Sequence, residues 1–412
     1  MKILVLNAGS SSQKLRLYEL ADHAAPDLAA SAPIWAADAD WGGKAGQMAV
    51  TLTVREKQAT SEEPASQREE ILTRLLQSLW QGERAVIEHP AEIDVIGHRV
   101  VHGGTHYAQS VRITPQVQDD LRQLVPFAPL HQPSNLVGIT VCEQLFGSTP
   151  QIAVFDTAYH RHLPLVAQVY PGPYAWFEQG IRRYGFHGIS HQYCAQRSAQ
   201  LTGQELSLSR IVTCHLGNGS SLAATLGGQC IDTTMGFTPL EGLMMGTRSG
   251  SIDPAILLYL QREQGSTPDE LDILLNQQSG LKGISGLSSD MREILQASEQ
   301  GNERAGLALD LYIYRLRACL GSMIAALEGL DILTFTAGVG EHAPLIRARV
   351  CQSLGFLGLA LDAEKNTCAT GDQDISAPNS TARVLVVHTE EDWQIARECW
   401  QILSITGGDM LK

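Results

Sequence analysis

No stretch of the chain reaches the run of roughly 18 apolar residues that a membrane-spanning helix requires, so a spanning protein is not expected. The N-terminus enters a strand directly, with no apolar signal core and no small-residue cleavage site, which points to the cytoplasm. Cationic excess is missing too: the net charge is −14. That balance argues against a general role on nucleic acid or a membrane surface, because phosphates would be repelled. A phosphate substrate would need locally concentrated Arg and Lys. The eight cysteines (Cys142, Cys194, Cys214, Cys230, Cys319, Cys351, Cys368 and Cys399) form no C-x-x-C pair and no zinc spacing, and read as reduced, packed residues. The motif G-x-x-x-x-G-K-[ST] is also absent, which argues against a P-loop enzyme.

What the chain does have is a strand, a small-residue turn and a second strand at its start, MKILVLNAGSSSQKLRLY. Lys2 to Leu6 reads as the first strand. Asn7 to Ser12 reads as the turn, whose glycine and serines leave N–H groups and hydroxyls open to an anion. Lys14 follows as a phosphate partner. The pattern recurs over Arg210 to Ala224, RIVTCHLGNGSSLAA, and in shorter form from Asp331, DILTFTAGVGEHAP. Three such units predict a duplicated nucleotide clamp. Length agrees, because 412 residues exceed a typical single core and suggest two domains or a duplicated pair.

Residues 21 to 65 read as peripheral strands and loops, with an alternation over Gln47 to Val54 suited to an exposed strand. Over Ser66 to Val86, Ile71, Leu72, Leu75, Leu76 and Leu79 fall at helical spacing, with Gly82 as a breaker. Ile93 to Ile96 is a short strand running into Gly97-His-Arg-Val-Val-His-Gly-Gly104, which alone reads equally well as a glycine bend with a satisfied histidine. Pro133 suits the first turn of a helix that stops at Gly147, with His131 just ahead of it. Asp156 sits at the carboxyl end of a strand, Gln151 to Phe155, where open α/β sheets bind ligands.

Ser190 is a candidate N-cap for a helix ending near Gly203, and His187 by itself reads as a core histidine. Asp232 to Pro254 is a long glycine-rich loop of the functional kind, in which Met244 and Met245 pack. Gly280 to Glu293 is a second loop. Leu307 to Leu327 is a helix apolar nearly all round, suited to a core or a subunit interface. Arg383 to Thr389 is a buried strand delivering Glu390, Glu391 and Asp392 ahead of a helix from Trp393. Those acids fit a helix cap or a Mg2+ site.

One fingerprint points elsewhere. Gly338-Val-Gly-Glu-His-Ala343 matches G-x-G-x-x-A, with Asp362 near the interval of a ribose-binding acid. Only about seventy residues follow Ala343, too few for both halves of a dinucleotide fold, so a dehydrogenase is set aside.

The stretches NAGSSSQK, GHRVVHGG, FAPLHQPSNL, VFDTAYH, YGFHGISH, HLGNGSS, MGFTPLEGLMMGTRSG, SDMR, AGVGEH and EEDWQIA run in this order from Asn7 to Ala396. Together they resemble the acetate and propionate kinase family of the sugar-kinase, heat-shock ATPase and actin superfamily. The resemblance implies an α/β fold of two duplicated ribonuclease-H-like lobes, mixed sheets flanked by helices, with a nucleotide cleft between them. It implies an N-terminal lobe of residues 1–156 completed by a C-terminal helix over 393–412, a nucleotide-binding lobe over 157–392, and a homodimer. The implied reaction is reversible transfer of a phosphoryl group from ATP to acetate or propionate with Mg2+ or Mn2+, giving ADP and an acyl phosphate.

By motif, Arg99 and Arg248 correspond to the family's binders of the carboxylate and the transferring phosphoryl group, and His187 to the donor to its equatorial oxygens. Asp156 corresponds to the active-site acid, expected here to position an Arg or the metal shell, and Asn7 and Glu391 to the Mg2+ site. Lys14 with Ser10 to Ser12 resembles one phosphate grip, and His215, Leu216, Gly217, Asn218 and Gly219 the other. Asp290, Met291 and Arg292, with Gly338, Val339, Gly340, Glu341 and His342, match the adenosine side. Val101, Leu130, Phe186 and Pro239 correspond to the pocket for the acyl methyl. A valine at 101 suggests acetate, although one methylene shifts specificity by only about 1–3 kcal/mol.

The chain departs from the family pattern at Gln132 for Asn, Ser251 for Asp, His342 for Asn, and Glu390-Glu391-Asp392 for Asn-Glu-Glu. Those departures bear on nucleotide preference and metal geometry. The alternative reading is an ATP-binding clamp of the actin or heat-shock type, which would not need Arg99, His187 and Arg248 together.

Overall fold

The structure is a computed structural model that describes residues 1–9, 12–21, 25–41, 47–55, 57–64, 67–129 and 131–409, with side chains as far as 404. The chain divides into two compact units, residues 1–158 with 390–412, and residues 159–389.

Among the described residues, eight strands build the sheet of the first unit: β1 (Lys2–Ala8), β2 (Ser12–Glu19), β3 (Trp35–Asp40), β4 (Gln47–Val54), β5 (Lys57–Pro64), β6 (Val95–Val100), β7 (Val111–Arg112) and β8 (Gln151–Phe155). Their order is β5-β4-β3-β2-β1-β6-β8-β7. β1, β6 and β8 run parallel, and the remaining neighbours are antiparallel. One face of the sheet packs Leu4, Leu6, Leu15, Leu17 and Trp35 with Ile71, Leu72, Leu75 and Leu76 of the helix Arg68–Gln77 and Val141 and Cys142 of the helix Gln132–Phe146. The last helix, Glu391–Asp409, belongs to this unit and lies along β1 and β6. Tyr18 meets its Trp393 edge-on, with ring centroids 5.3 Å apart.

The second unit holds β9 (Arg210–Leu216), β10 (Ser220–Leu226), β11 (Gln229–Thr233), β12 (Ile332–Thr336), β13 (Gln373–Asp374) and β14 (Arg383–Val386). Their order is β11-β10-β9-β12-β14-β13, with β9, β12 and β14 parallel. This repeats β3-β2-β1-β6-β8-β7 position for position, down to the short antiparallel edge strand. β4 and β5, from the 21–65 region, are added outside that shared frame. Val212, Cys214, Leu222 and Phe335 pack on Leu309, Ile313, Leu316 and Leu320 of the helix Glu303–Ala326. The helix Gly188–Thr202 lies on β9 and β12, where Ser198 and Thr334 share a hydrogen bond of 2.7 Å.

Two α/β sheets flanked by helices are what the sequence predicts, but several local expectations fail. Gly97 is not a bend. It sits inside β6, because a Cβ there would lie 2.6 Å from Cys399 Sγ and 2.7 Å from Ile395 Cγ2, so glycine lets the last helix dock. Ser190 does not cap its helix, which begins at Gly188 behind His187 in the left-handed region at φ 56°, while the Ser190 hydroxyl bonds to His215. Gly280–Ser285 forms a short helix where a loop was expected. The stretch from Asp331 is not a strand–turn–strand unit, because β12 passes into the short helix Ala337–His342. The last helix starts at Glu391 instead of Trp393: Gln394 N–H donates to Glu390 O at 2.9 Å, placing two carboxylates in its first turn, where the helix dipole favours them.

Candidate active site

In the first unit three parallel strands end side by side, and β1, β6 and β8 bring Asn7, Arg99 and Asp156 to the carboxyl edge of the sheet. Alternation along β6 puts Arg99 on the same face as Gly97, the face met by the last helix. Arg99 Nε donates to both oxygens of Asp156 at 3.1 Å, and Nη2 donates to Oδ2 at 2.7 Å. Its Nη1 donates to Asn7 Oδ1 at 3.1 Å and lies 3.7 Å from Glu391 Oε2. Asn7 Nδ2 in turn donates to Asp392 Oδ1 at 2.7 Å and Glu391 Oε2 at 3.2 Å. Burial works against the charge on Arg99, but Asp156, Glu391 and Asp392 outweigh it and hold its pKa above the ordinary value.

Asn7, Arg99, Asp156 and Glu391 are therefore one network. Lys14 lies opposite Asn7 in the ladder with its side chain exposed, and the Ser12 carbonyl closes the turn by accepting from Gly9 N–H at 2.8 Å. Ser10 and Leu130 lie outside the described residues. Val101 is buried just beyond β6, its N–H donating to Asn135 Oδ1 at 3.2 Å, and Gln132 is buried one turn before Asn135. The oxygens of Glu391, Asp392 and Asn7 are the hard donors that Mg2+ takes. Among the described residues no group of three or more His, Cys, Asp or Glu forms a metal cage. Mg2+ commonly uses one or two carboxylates and leaves the rest to water and substrate phosphates, so this donor set fits it.

In the second unit β9 and β10 are joined by residues 217–219, and two histidines stand at that turn. His187 and His215 stack with ring centroids 4.2 Å apart. A Cβ at Gly219 would lie 3.4 Å from Arg248 Nη1 and 3.5 Å from His187 Cε1 and Nε2, so ring and guanidinium converge on this turn. Arg248 Nη1 donates to the Pro239 carbonyl at 3.3 Å, and among the described residues no carboxylate pairs with it. Burial alone pulls its pKa down.

Residues expected on the adenosine side are arranged around the same turn. Asn218 Oδ1 and Ser289 O crowd the place of a Cβ at Gly246, and a Cβ at Gly217 would lie 3.8 Å from Ala337, where the helix carrying Gly338 to His342 begins. Asp290 caps the helix Met291–Glu299 by accepting from Arg292 N–H at 2.8 Å, and Met291 is buried. Arg292 is spent on Asp290, with its side chain 90% exposed. Glu341 accepts from Thr389 N–H at 3.3 Å and shares 2.6 Å with His388 Nδ1. Burial opposes ionisation of Glu341, but His388 and the Thr389 N–H prevail and its pKa is lowered. Phe186 is buried, Pro239 is half-buried, and His342 is exposed.

The profile of the acetokinase family matches residues 2–397. The chain belongs to this family. An acetate kinase of Gloeobacter violaceus is 56% identical over 406 residues, covering 98% of this chain and all of that protein. The crystal structure of Porphyromonas gingivalis acetate kinase aligns with TM-score 0.87 at 39% identity over 98% of this chain and 99% of its own. A propionate kinase from Francisella tularensis aligns with TM-score 0.86 at 35% identity over 96% and 98%.

Sequence reasoning left out several residues that touch the candidate site residues of one unit or the other. Arg16 pairs with Asp38 at 2.8 Å and stands 3.5 Å from Asp392, linking β2 to the last helix. Ser221 and His191 stand behind His187, with Ser221 Oγ 2.9 Å from His187 Nδ1 and 2.7 Å from His191 Nε2. The signal was in the sequence: both histidines occur in YGFHGISH, His187 at the N-cap and His191 in the first turn of the helix that follows.

Proposed function

We propose that this chain catalyses reversible phosphoryl transfer from ATP to acetate, giving ADP and acetyl phosphate. The observation that carries the reading is the convergence of His187 and Arg248 on the Gly217–Gly219 turn, a cationic site with no carboxylate partner at the guanidinium among the described residues. Such a site suits a phosphoryl group that needs charge neutralisation and alignment more than covalent chemistry. Acetate is ionised at neutral pH, so no strong general base is needed. Asp156 fits that economy: three hydrogen bonds from Arg99 occupy both its oxygens, so it orients a guanidinium and keeps it charged instead of taking a proton. Arg99 and Arg248 then serve as the carboxylate and phosphoryl binders, with guanidinium forks that match those oxygens.

Asn7 and Glu391, with Asp392 beside them, would hold Mg2+, which when bound neutralises charge on the nucleotide phosphates. Lys14 and Ser12 grip phosphate from the first unit, and His215 to Gly219 from the second. Asp290 to Arg292 and Gly338 to His342 attend the adenosine. The family alignment with a propionate kinase makes propionate the second candidate acid, and a short acid series decides between them. With ATP, Mg2+ and acetate, the purified protein should form acetyl phosphate that hydroxylamine traps. No acyl phosphate from acetate, propionate or butyrate would overturn the reading, and slow ATP hydrolysis indifferent to acetate would favour an actin-like clamp.

The same reading includes a homodimer in the cytoplasm. The helix Ala255–Gln264 has no buried residue and exposes Ile256, Leu258 and Tyr259, while Leu307 and Tyr314 are exposed on the helix Glu303–Ala326. A second copy would cover these side chains, and light scattering should report twice the chain mass. All eight cysteines are free, which suits a reducing compartment.

A further inference from the structure

Two stacked imidazoles face the glycine turn of the second unit, each held from behind by a serine. His187 Nδ1 is 2.9 Å from Ser221 Oγ, and His215 Nδ1 is 2.8 Å from Ser190 Oγ. Each ring thereby turns its Nε2 to the turn: His187 Nε2 would lie 3.5 Å from a Cβ at Gly219, and His215 Nε2 3.8 Å from one at Gly217. A neutral imidazole carries one ring proton, so His187 can donate to a phosphoryl oxygen only if that proton sits on Nε2. Its backbone is pinned at φ 56°, a left-handed conformation unusual outside glycine, which fixes where the ring points but not which nitrogen is protonated.

The groups behind the ring decide that. Ser221 Oγ is also 2.7 Å from His191 Nε2, and His191 Nδ1 is 2.6 Å from Thr213 Oγ1. Ser221, His191 and Thr213 are fully buried, and among the described residues the Thr213 hydroxyl has no other hydrogen bond. Burial, with His160 and His215 nearby, keeps His191 neutral.

Three arrangements are open. In the first, His187 Nδ1–H donates to Ser221, Ser221 to His191 Nε2 and His191 Nδ1–H to Thr213, which leaves the buried Thr213 proton without an acceptor. In the second, both imidazoles donate to Ser221, and the serine proton is stranded. In the third, Thr213 O–H donates to His191 Nδ1, His191 Nε2–H to Ser221, and Ser221 O–H to His187 Nδ1, so every buried proton has an acceptor. A buried donor without a partner costs more than an unused hydroxyl lone pair, so the third prevails.

We propose that Thr213, His191 and Ser221 are positioning residues that fix the tautomer of His187, so that a neutral ring presents Nε2–H to the transferring phosphoryl group. This rests on the phosphoryl-transfer reading for the function of Nε2–H, but the tautomer itself can be read without turnover.

Full-length protein labelled with ring-15N histidine and observed by long-range proton–nitrogen correlation reports each tautomer, with His187 assigned by its loss in His187→Gln. The wild type should show His187 protonated at Nε2 and bare at Nδ1. In Ser221→Ala the ring should become mixed or Nδ1-protonated, and kcat should fall about tenfold or more with the KM for acetate little changed. Ser221→Thr keeps the hydroxyl and should keep the wild-type tautomer. Nδ1–H in the wild type, or a tautomer indifferent to Ser221→Ala, overturns the relay, and an altered tautomer with unaltered kcat removes it from catalysis. If Ser221→Ala does not fold, the wild-type spectrum decides alone. A protein with the expected tautomer that makes no acyl phosphate would sink the kinase reading and leave the tautomer assignment standing.

Discussion

Arg99 and Arg248 are both guanidiniums withdrawn from water, yet they are held in opposite ways. Arg99 is locked by Asp156, and among the described residues Arg248 donates only to a carbonyl oxygen and a thioether. Their substitutions should therefore separate. Arg248→Ala removes no ion pair and should leave the melting temperature nearly unchanged while lowering kcat on the order of a thousandfold, checked by coupled assay and calorimetry. Asp156→Asn removes the nearest countercharge of Arg99, whose side chain is 14% exposed, and should cost about 3 kcal/mol in a urea titration as well as activity. At this scale the sequence was informative: Asn7, Arg99, Asp156 and Glu391 were all chosen from motifs, and they do meet. What it hid was pairing. Nothing in GHRVVHGG says that Arg99 spends three hydrogen bonds on Asp156, because the two are brought together only by the register of β6 and β8.

Strands and helices were legible where their apolar period was clean, as over Arg68–Gln77 and Glu303–Ala326. They were misread where glycine serves packing instead of turning. Gly97 is the instructive case, because a punctuating residue in sequence turned out to be a contact surface for Ile395 and Cys399. Gly97→Ala should push the last helix outward. We expect a loss of about 1–3 kcal/mol and faster amide exchange over 391–404, together with weaker Mg2+ dependence as Glu391 moves from Asn7. Exchange unchanged in that helix would mean that it has room to shift. The short helices Gly280–Ser285 and Ala337–His342 escaped notice for a related reason: they are rich in glycine, and tertiary contacts rather than propensity hold them.

At the scale of the whole molecule, the recurrence of strand, glycine turn and strand foretold a duplication, and both sheets repeat one order of strands. β4 was visible only as alternation and β5 only as part of a region of peripheral strands and loops, since nothing in their composition says that they extend the sheet beyond β3. A further property belongs to no single site. His98, His102 and His160 are buried, and burial pushes each pKa down to about 4. Unfolded, each would bind a proton below about pH 6.5. Between those values the unfolded chain holds more protons than the folded one, so stability falls as pH falls. With His191, whose pKa burial also pushes well down, four unmatched protons set a slope of at most about 5 kcal/mol per pH unit. Urea midpoints at about pH 7, 6 and 5 should decline in step, and a flat profile would show that these rings titrate normally in the folded state.

Discontinuity of the first unit imposes an order in time. During synthesis β1, β6 and β8 emerge early, but the segment from Glu390 follows the whole second unit. At roughly 5–20 residues per second, Gly97 and Arg99 wait on the order of ten seconds or more for the helix that covers them. Until it arrives Asn7 has neither carboxylate to hold, so the proposed metal site is incomplete. Docking of the last helix is thus both a folding step and the moment at which the proposed metal site is assembled.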